Sequence, residues 1–308
     1  MLEFGWDNTI MRSLCWRSAL LAVALCSLPL ATAHAARKPL VVSSIRPLHL
    51  IVRAVAGDAV ETRTLGSVRG TGHDFVLRPS DLRLLRSADR IFWIGPALER
   101  PLGEMLRRLP QPERAVALRE AVSADPASSA DPHVWLDPRA AVQIAARMIA
   151  ALEAQGQIER GSLAPSLAAF AAEMQATEAA MREEFAAVRA TPFFVIHDGY
   201  GHLVHRFGLH QAGALSLDEE HTPGARTLAA LRARLRDTDA ACVLTEPGVN
   251  PSLLAALTEG SGARLLELDP MAYNSAEDAH SFARFLRVTG QRLTACLKPT
   301  SLESATHE

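Results

Sequence analysis

No HExxH, no GxSxG, no GxxxxGK[ST] and no GxGxxG behind a strand occurs in the 308 residues. These absences withdraw support from a zincin protease, a nucleophile-elbow hydrolase, a P-loop enzyme and a dinucleotide-binding domain. Ser, His and Asp are available, but no Ser stands in a recognisable nucleophile context. Net charge is also lacking: 32 Lys and Arg against 34 Asp and Glu leave −2, which gives no push toward nucleic acid or an acidic membrane surface. The N-terminal apolar stretch, SALLAVALCSLPLATA, is short for a membrane span. What remains is an ordinary globular composition, 48% hydrophobic and 21% charged, in a chain long enough for two domains with real cores.

The first 35 residues read as a signal peptide rather than as fold. A start-like Met11 with Arg12 and Arg17 precedes the apolar stretch, and Ala33-His34-Ala35 fits a signal-peptidase site, with the mature chain starting near Ala36. Residues 1–10 carry Glu3 and Asp7, which suit a signal peptide poorly and fit an upstream start choice. Leu25 before Cys26 is a poor lipidation context, so the expectation is a soluble exported protein without a lipid anchor. Cleavage leaves two cysteines, Cys242 and Cys296. An exported chain with two cysteines usually pairs them; the alternative is two buried thiols. The bridge would tie a strand to the C-terminal helix and contribute about 4 kcal/mol in the chain-entropy account.

Short apolar, β-rich runs at 39–45, 60–67, 90–95, 192–196, 241–246 and 264–268 read as strands. Helices are expected from Ser80 as N-cap, from Asp137-Pro138 to about Gln155, over 164–190, after the 192–196 strand, from Pro251-Ser252, and over 276–296. Leu167, Phe170, Met174, Thr177, Met181, Phe185 and Val188 recur every three or four residues, a packing stripe rather than a cofactor box. Residues 121–131 read as a small, polar surface loop. Strands alternating with helices in two halves imply two Rossmann-like α/β domains with mostly parallel sheets. The boundaries are 36–160 and 191–308, joined by a long helix in 161–190. No internal repeat is evident in the sequence.

Three histidines stand just past apolar runs: His73 in GTGHDFVLRPSD, His133 in DPHVWLDP and His197 in FFVIHDGYG. Neutral imidazole is a common zinc ligand, and three imidazoles leave one coordination position for another group. Ligands of parallel sheets bind beyond the carboxyl ends of strands, where His197 and Asp269 both fall; His73 and His133 sit on loops of the first half, so the ligand would lie between the domains. Singly, each histidine is more often a satisfied structural residue. His49, His202, His205, His210, His221, His280 and His307 are read so, with His202 a minor alternate ligand. Asp74 and Asp198 would orient imidazoles or serve turns and caps. Glu246 would be a base, a support for the ligands or a cap.

The stretches GHDFVLRPSDLRLLRSADRIFWIGPALE, HVWLDP, FFVIHDGYGHLVHRFGL, HTPGARTL, ACVLTEPGVNPSL, LELDP and TACLK together resemble the periplasmic zinc-binding subunits of ABC importers, the ZnuA-like, cluster A-I solute-binding proteins. The resemblance covers about residues 39–297. It implies zinc ligation by His73, His133 and His197, delivery to a membrane permease, a linking helix that limits domain motion, and a bridge between Cys242 and Cys296. Manganese-binding relatives tend to carry Glu where His197 stands, and harder metals prefer carboxylate oxygen, so His197 points to zinc over manganese or iron. Two departures matter. Gly72 stands where the family often has Glu, leaving the fourth position to water or Asp269, and the loop before His133 lacks the family's frequent histidines. The expected activity is binding, not catalysis, by a monomer without nucleic acid. A metal-binding adhesin and a zinc hydrolase using Glu246 are the other readings.

Overall fold

The computed structural model describes residues 37–66, 76–122, 131–215 and 224–299, together with Met1. His73, Asp74, His221, His307 and the signal segment lie outside them. From Lys38 onward the chain clusters as one compact unit. No helix among the described residues is long and apolar enough to cross a membrane.

Among the described residues eight short strands form two four-stranded sheets, parallel throughout. The first contains β1 (Leu40–Ser43), β2 (Glu61–Thr64), β3 (Arg90–Trp93) and β4 (Ala115–Ala117), in the order β2-β1-β3-β4. The second contains β5 (Phe193–Val195), β6 (Gln211–Ala214), β7 (Cys242–Thr245) and β8 (Arg264–Glu267), in the order β6-β5-β7-β8. The two halves therefore repeat one topology, although no repeat is visible in their residues. In both, the order reverses between the first and third strands, so each sheet opens its ligand crevice at the carboxyl ends of β1 and β3, or of β5 and β7.

Nine α-helices accompany the strands among the described residues: α1 (Arg46–Ala56), α2 (Pro79–Ser87), α3 (Arg100–Leu106), α4 (Pro138–Ala154), α5 (Ala164–Phe185), α6 (Gly201–Phe207), α7 (Ala225–Asp237), α8 (Pro251–Thr258) and α9 (Ser281–Leu297). The Asp137-Pro138 start is as expected: the Asp137 carboxylate accepts the Arg139 N–H at 2.8 Å, with Pro138 in the first turn. Ser80 is not an N-cap. The cap is Arg78, whose N–H reaches Asp81 at 2.9 Å, and Pro79 opens α2. A first-turn proline with an acidic third residue outweighs serine's capping preference. The helix expected over 164–190 ends at Phe185, and the last one begins at Ser281, after a loop, rather than near 276. Edge strands β4 and β6, not expected from the sequence, are only AVA and QAGA. Such short runs of small residues carry little β signal of their own and owe their state to the neighbouring strand.

Packing explains how the halves meet. Phe193, Val195, Cys242 and Leu244 point one way and join the large core, which also holds Val41, Val42, Ile91 and Phe92 of the first sheet. Phe194, Ile196 and Val243 point the other way, onto Leu231 and Leu235 of α7 and Leu254 and Leu257 of α8. This is the two-residue period of a strand buried on both faces. Helix α5 buries Phe170, Met174, Thr177, Met181 and Phe185 of the expected stripe and packs against α4 and α9, while Leu167 is half-buried and Val188 lies beyond the helix end. Helix α9 returns from the second sheet to touch α1 of the first half. Cys242 and Cys296 form a disulfide, with Cα atoms 6.1 Å apart, that binds β7 to the end of α9.

One buried carboxyl has a measurable consequence. Glu99, fully buried, accepts the N–H groups of Ile94 and Gly95 at 2.8 and 3.2 Å, holding the chain where it leaves β3. Burial pushes its pKa up to about 7, against the pull of the Ser44 hydroxyl and the two amides. A raised acid pKa favours the folded state fully below the ordinary value of 4.5, and that contribution is lost as pH rises through about 7. Glu99→Gln is therefore expected to stabilise the protein at pH 8, by up to about 3 kcal/mol, and hardly at all at pH 4.5. Thermal unfolding of both forms at the two pH values checks this; an equal difference at each would refute it.

Candidate metal centre

The segment Asp131–Asp137 and the carboxyl end of β5 build the centre. His133 is buried just before a single 3-10 turn, Val134–Leu136. His197 is half-buried, two residues beyond β5. Their Nε2 atoms are 3.2 Å apart and their rings meet edge to face, with centroids 5.0 Å apart. Two nitrogens each about 2.0–2.1 Å from one tetrahedral zinc lie roughly 3.3–3.4 Å apart, so this pair already has the separation of two ligands of one ion.

The orientation of His133 has a definite cause. Asp131 Oδ1 accepts both the His133 backbone N–H at 2.9 Å and its ring Nδ1–H at 2.6 Å. With the proton held on Nδ1, the lone pair is left on Nε2, facing His197. The His133 imidazole in turn holds the Asp131 carboxyl below its ordinary pKa, against the opposing effect of burial, which is the largest single influence on it. The Asp131 carbonyl is fixed as well, accepting Arg119 Nε at 3.1 Å and His202 Nε2 at 3.0 Å. His202, the alternate ligand on sequence grounds, thus has its Nε2 engaged with a main-chain oxygen.

Glycine at two positions of HDGYG permits this approach. A Cβ on Gly199 would lie 2.8 Å from His197 Cδ2 and 3.1 Å from His133 Nε2; one on Gly201 would lie 2.7 Å from Asp131 Oδ2. Neither neighbour can retreat without dismantling the pair. Two further ties join the first segment to the second half: Asp137 takes a two-pronged bond from Arg206 of α6, at 2.9 and 2.6 Å, and Trp135 Nε1 donates to the Pro270 carbonyl after β8 at 2.8 Å.

Asp269 follows β8 and is half-buried, its carboxylate accepting the N–H groups of Met271 at 3.1 Å and Asn274 at 3.3 Å. Burial raises its pKa, opposed by these amides and by Arg46. Glu246 is buried directly after β7. Tyr200 has a hydroxyl buried without a hydrogen-bond partner among the described residues, and it keeps its proton to unusually high pH, through burial and the charges of Glu246 and Asp269. Asp198 does not orient an imidazole: it is exposed and accepts Gln211 Nε2 at 2.8 Å. That role falls to Asp131, the last residue of the polar stretch 121–131; its sequence signal is an Asp two residues ahead of the histidine in DPH. Among the described residues no group of three or more His, Cys, Asp or Glu side chains is gathered for a metal, and His73 lies outside them.

A model of the periplasmic zinc-uptake complex component A family, ZnuA, matches residues 41–296. The chain belongs to the ZnuA family. The high-affinity zinc uptake system protein ZnuA of Yersinia pestis is 29% identical over 290 residues, covering 84% of this chain and 91% of that protein. Its counterpart in Paracoccus denitrificans is 30% identical over 304 residues, with 85% and 93% covered. A crystal structure of ZnuA superposes with a TM-score of 0.73 at 21% identity, over 84% of this chain and 99% of that one, a likeness of fold. ZnuA is a periplasmic solute-binding family serving metal transport and not an enzyme family, so the hydrolase reading of Glu246 falls.

Proposed function

We propose that this chain captures Zn²⁺ and hands it to an ABC-type membrane permease, with zinc as cargo. The carrying observation is the His133–His197 pair, two Nε2 atoms 3.2 Å apart with one ring's tautomer held by Asp131. His73 would supply the third imidazole, and Asp269 or water the fourth position, giving the tetrahedral nitrogen-rich shell that suits zinc better than manganese or iron. Asp74 remains a candidate to orient His73, and Glu246, beside Tyr200, to support the ligands from behind. The protein is read as a monomer exported by residues 1–35 without lipidation, with domains at 36–160 and 191–308 on either side of the helix within 161–190.

No bond is made or broken. The fold's part is to hold His133 and His197 together before the ion arrives, so that less ordering is left to be done on binding. Competition of metal-stripped protein against a chromophoric chelator, with zinc and with manganese, tests the reading. Tight one-to-one zinc binding, weak manganese binding and a loss of zinc affinity between pH 7.5 and 5.5 are expected, because protons compete for imidazole. Absence of a tight zinc site, or affinity indifferent to pH, would overturn it.

A further inference from the structure

The loop that carries Asp269 belongs by sequence to the second sheet, yet it is fastened to the first. Arg46 stands at the carboxyl end of β1, at the first sheet's own crevice. Its Nη1 meets Glu277 Oε1 at 2.7 Å, and its Nη2 donates to the Ser275 carbonyl. His49, one turn along α1, lies 3.8 Å from Glu277 Oε2 and is set by Thr62 of β2 at 3.2 Å. At its near end the same loop takes the Trp135 indole on Pro270. Between these fastenings Ala272 has a φ of +54°, a left-handed conformation that an alanine keeps only where its surroundings impose it. The Asp269 carboxylate depends on the loop's shape, since its partners are the loop's own amides at Met271 and Asn274.

We infer that Arg46 is a positioning residue that straps the loop 269–277 across the cleft, and that the Arg46–Glu277 contact sets how fast a bound cation leaves. This rests on the proposed zinc-carrier reading. Two physical points favour it. A loop held at both ends keeps Asp269 in place, whereas release at the Glu277 end frees the turn to relax its left-handed alanine. Second, a guanidinium beside a cation site is unfavourable unless compensated. Glu277 compensates it, and Arg46 holds the Glu277 carboxyl below its ordinary pKa. The strap acts by holding Asp269 on an ion already bound, so the effect belongs to the off-rate.

The test is stopped-flow zinc release from the loaded, full-length protein into excess chelator, alongside zinc association and thermal unfolding. Wild type is compared with Arg46→Met, Arg46→Lys and Glu277→Gln. The pair is partly exposed, so the expected rise in off-rate is about three- to tenfold for Arg46→Met and Glu277→Gln, with the on-rate unchanged and Arg46→Lys in between. Glu277→Gln, at an exposed position, keeps the test valid if Arg46→Met folds poorly. Unchanged release in both, or a lowered melting temperature with unchanged release, would overturn the strap and leave the carrier reading standing. Wild type without tight zinc binding would overturn the carrier reading and the strap with it.

Discussion

Replacing His197 by alanine is expected to weaken zinc binding by roughly 100-fold or more. Zinc sites of four protein ligands bind with about 10–16 kcal/mol, so one ligand carries on the order of 3 kcal/mol. His133→Ala should cost about as much, because the two Nε2 atoms share one ion's separation, 3.2 Å. Asp131→Ala should cost less, about 10- to 100-fold, since it removes the anchor of a ligand and not the ligand. Asp131→Asn should cost less again, because an amide oxygen still accepts the Nδ1–H. His210→Ala is the control: that ring is exposed and lies against the Ala190 carbonyl at 3.3 Å. Chelator competition on the five variants gives the order directly. A His197→Ala protein that binds zinc like wild type would remove the His133–His197 pair from the site and overturn the ligand set.

Breaking the Cys242–Cys296 bridge is expected to cost about 4 kcal/mol of stability, from a cross-link spanning 54 residues. In a protein of this size that lowers the melting temperature by about 10 °C. The bridge fastens the C-terminal end of α9, which packs on α5 and α1 and so helps join the halves. Zinc affinity at 25 °C should hardly change. Cys242 begins β7, and the candidate site lies past the strand's other end, at Glu246. Thermal unfolding with and without reductant, and of the Cys242→Ala/Cys296→Ala protein, measures the effect. An unchanged melting temperature would mean that α9 is held by packing alone, and a collapse of zinc binding would mean that the bridge shapes the cleft.

Much of this was legible in residues. Central strands such as CVLT and FFV announce themselves because strands buried on both faces are continuous apolar runs. Asp137-Pro138 announces a helix because a cap and a first-turn proline are local chemistry. Edge strand AVA does not, since its state depends on the Arg90–Trp93 strand beside it. Asp198 and Asp131 mark the limit within the site. Both stand close to a histidine in sequence, and only the direction of the chain decides that one faces Gln211 and the other His133.

Residue types and short spacings alone establish the strand-helix alternation in two halves, the histidines past apolar runs, the glycines of HDGYG and the two cysteines. All of these are matters of residue type and short spacing, where propensity and chemistry act within a few positions. The tertiary structure decided that both sheets share one strand order, that His133 and His197 meet across 64 residues, that Asp131 fixes the first of them, and that Arg46 reaches Glu277 across 231. Those contacts depend on where whole elements are carried by packing of the common core. No local pattern encodes that placement, because the energy that fixes it is spread over buried surface belonging to both halves.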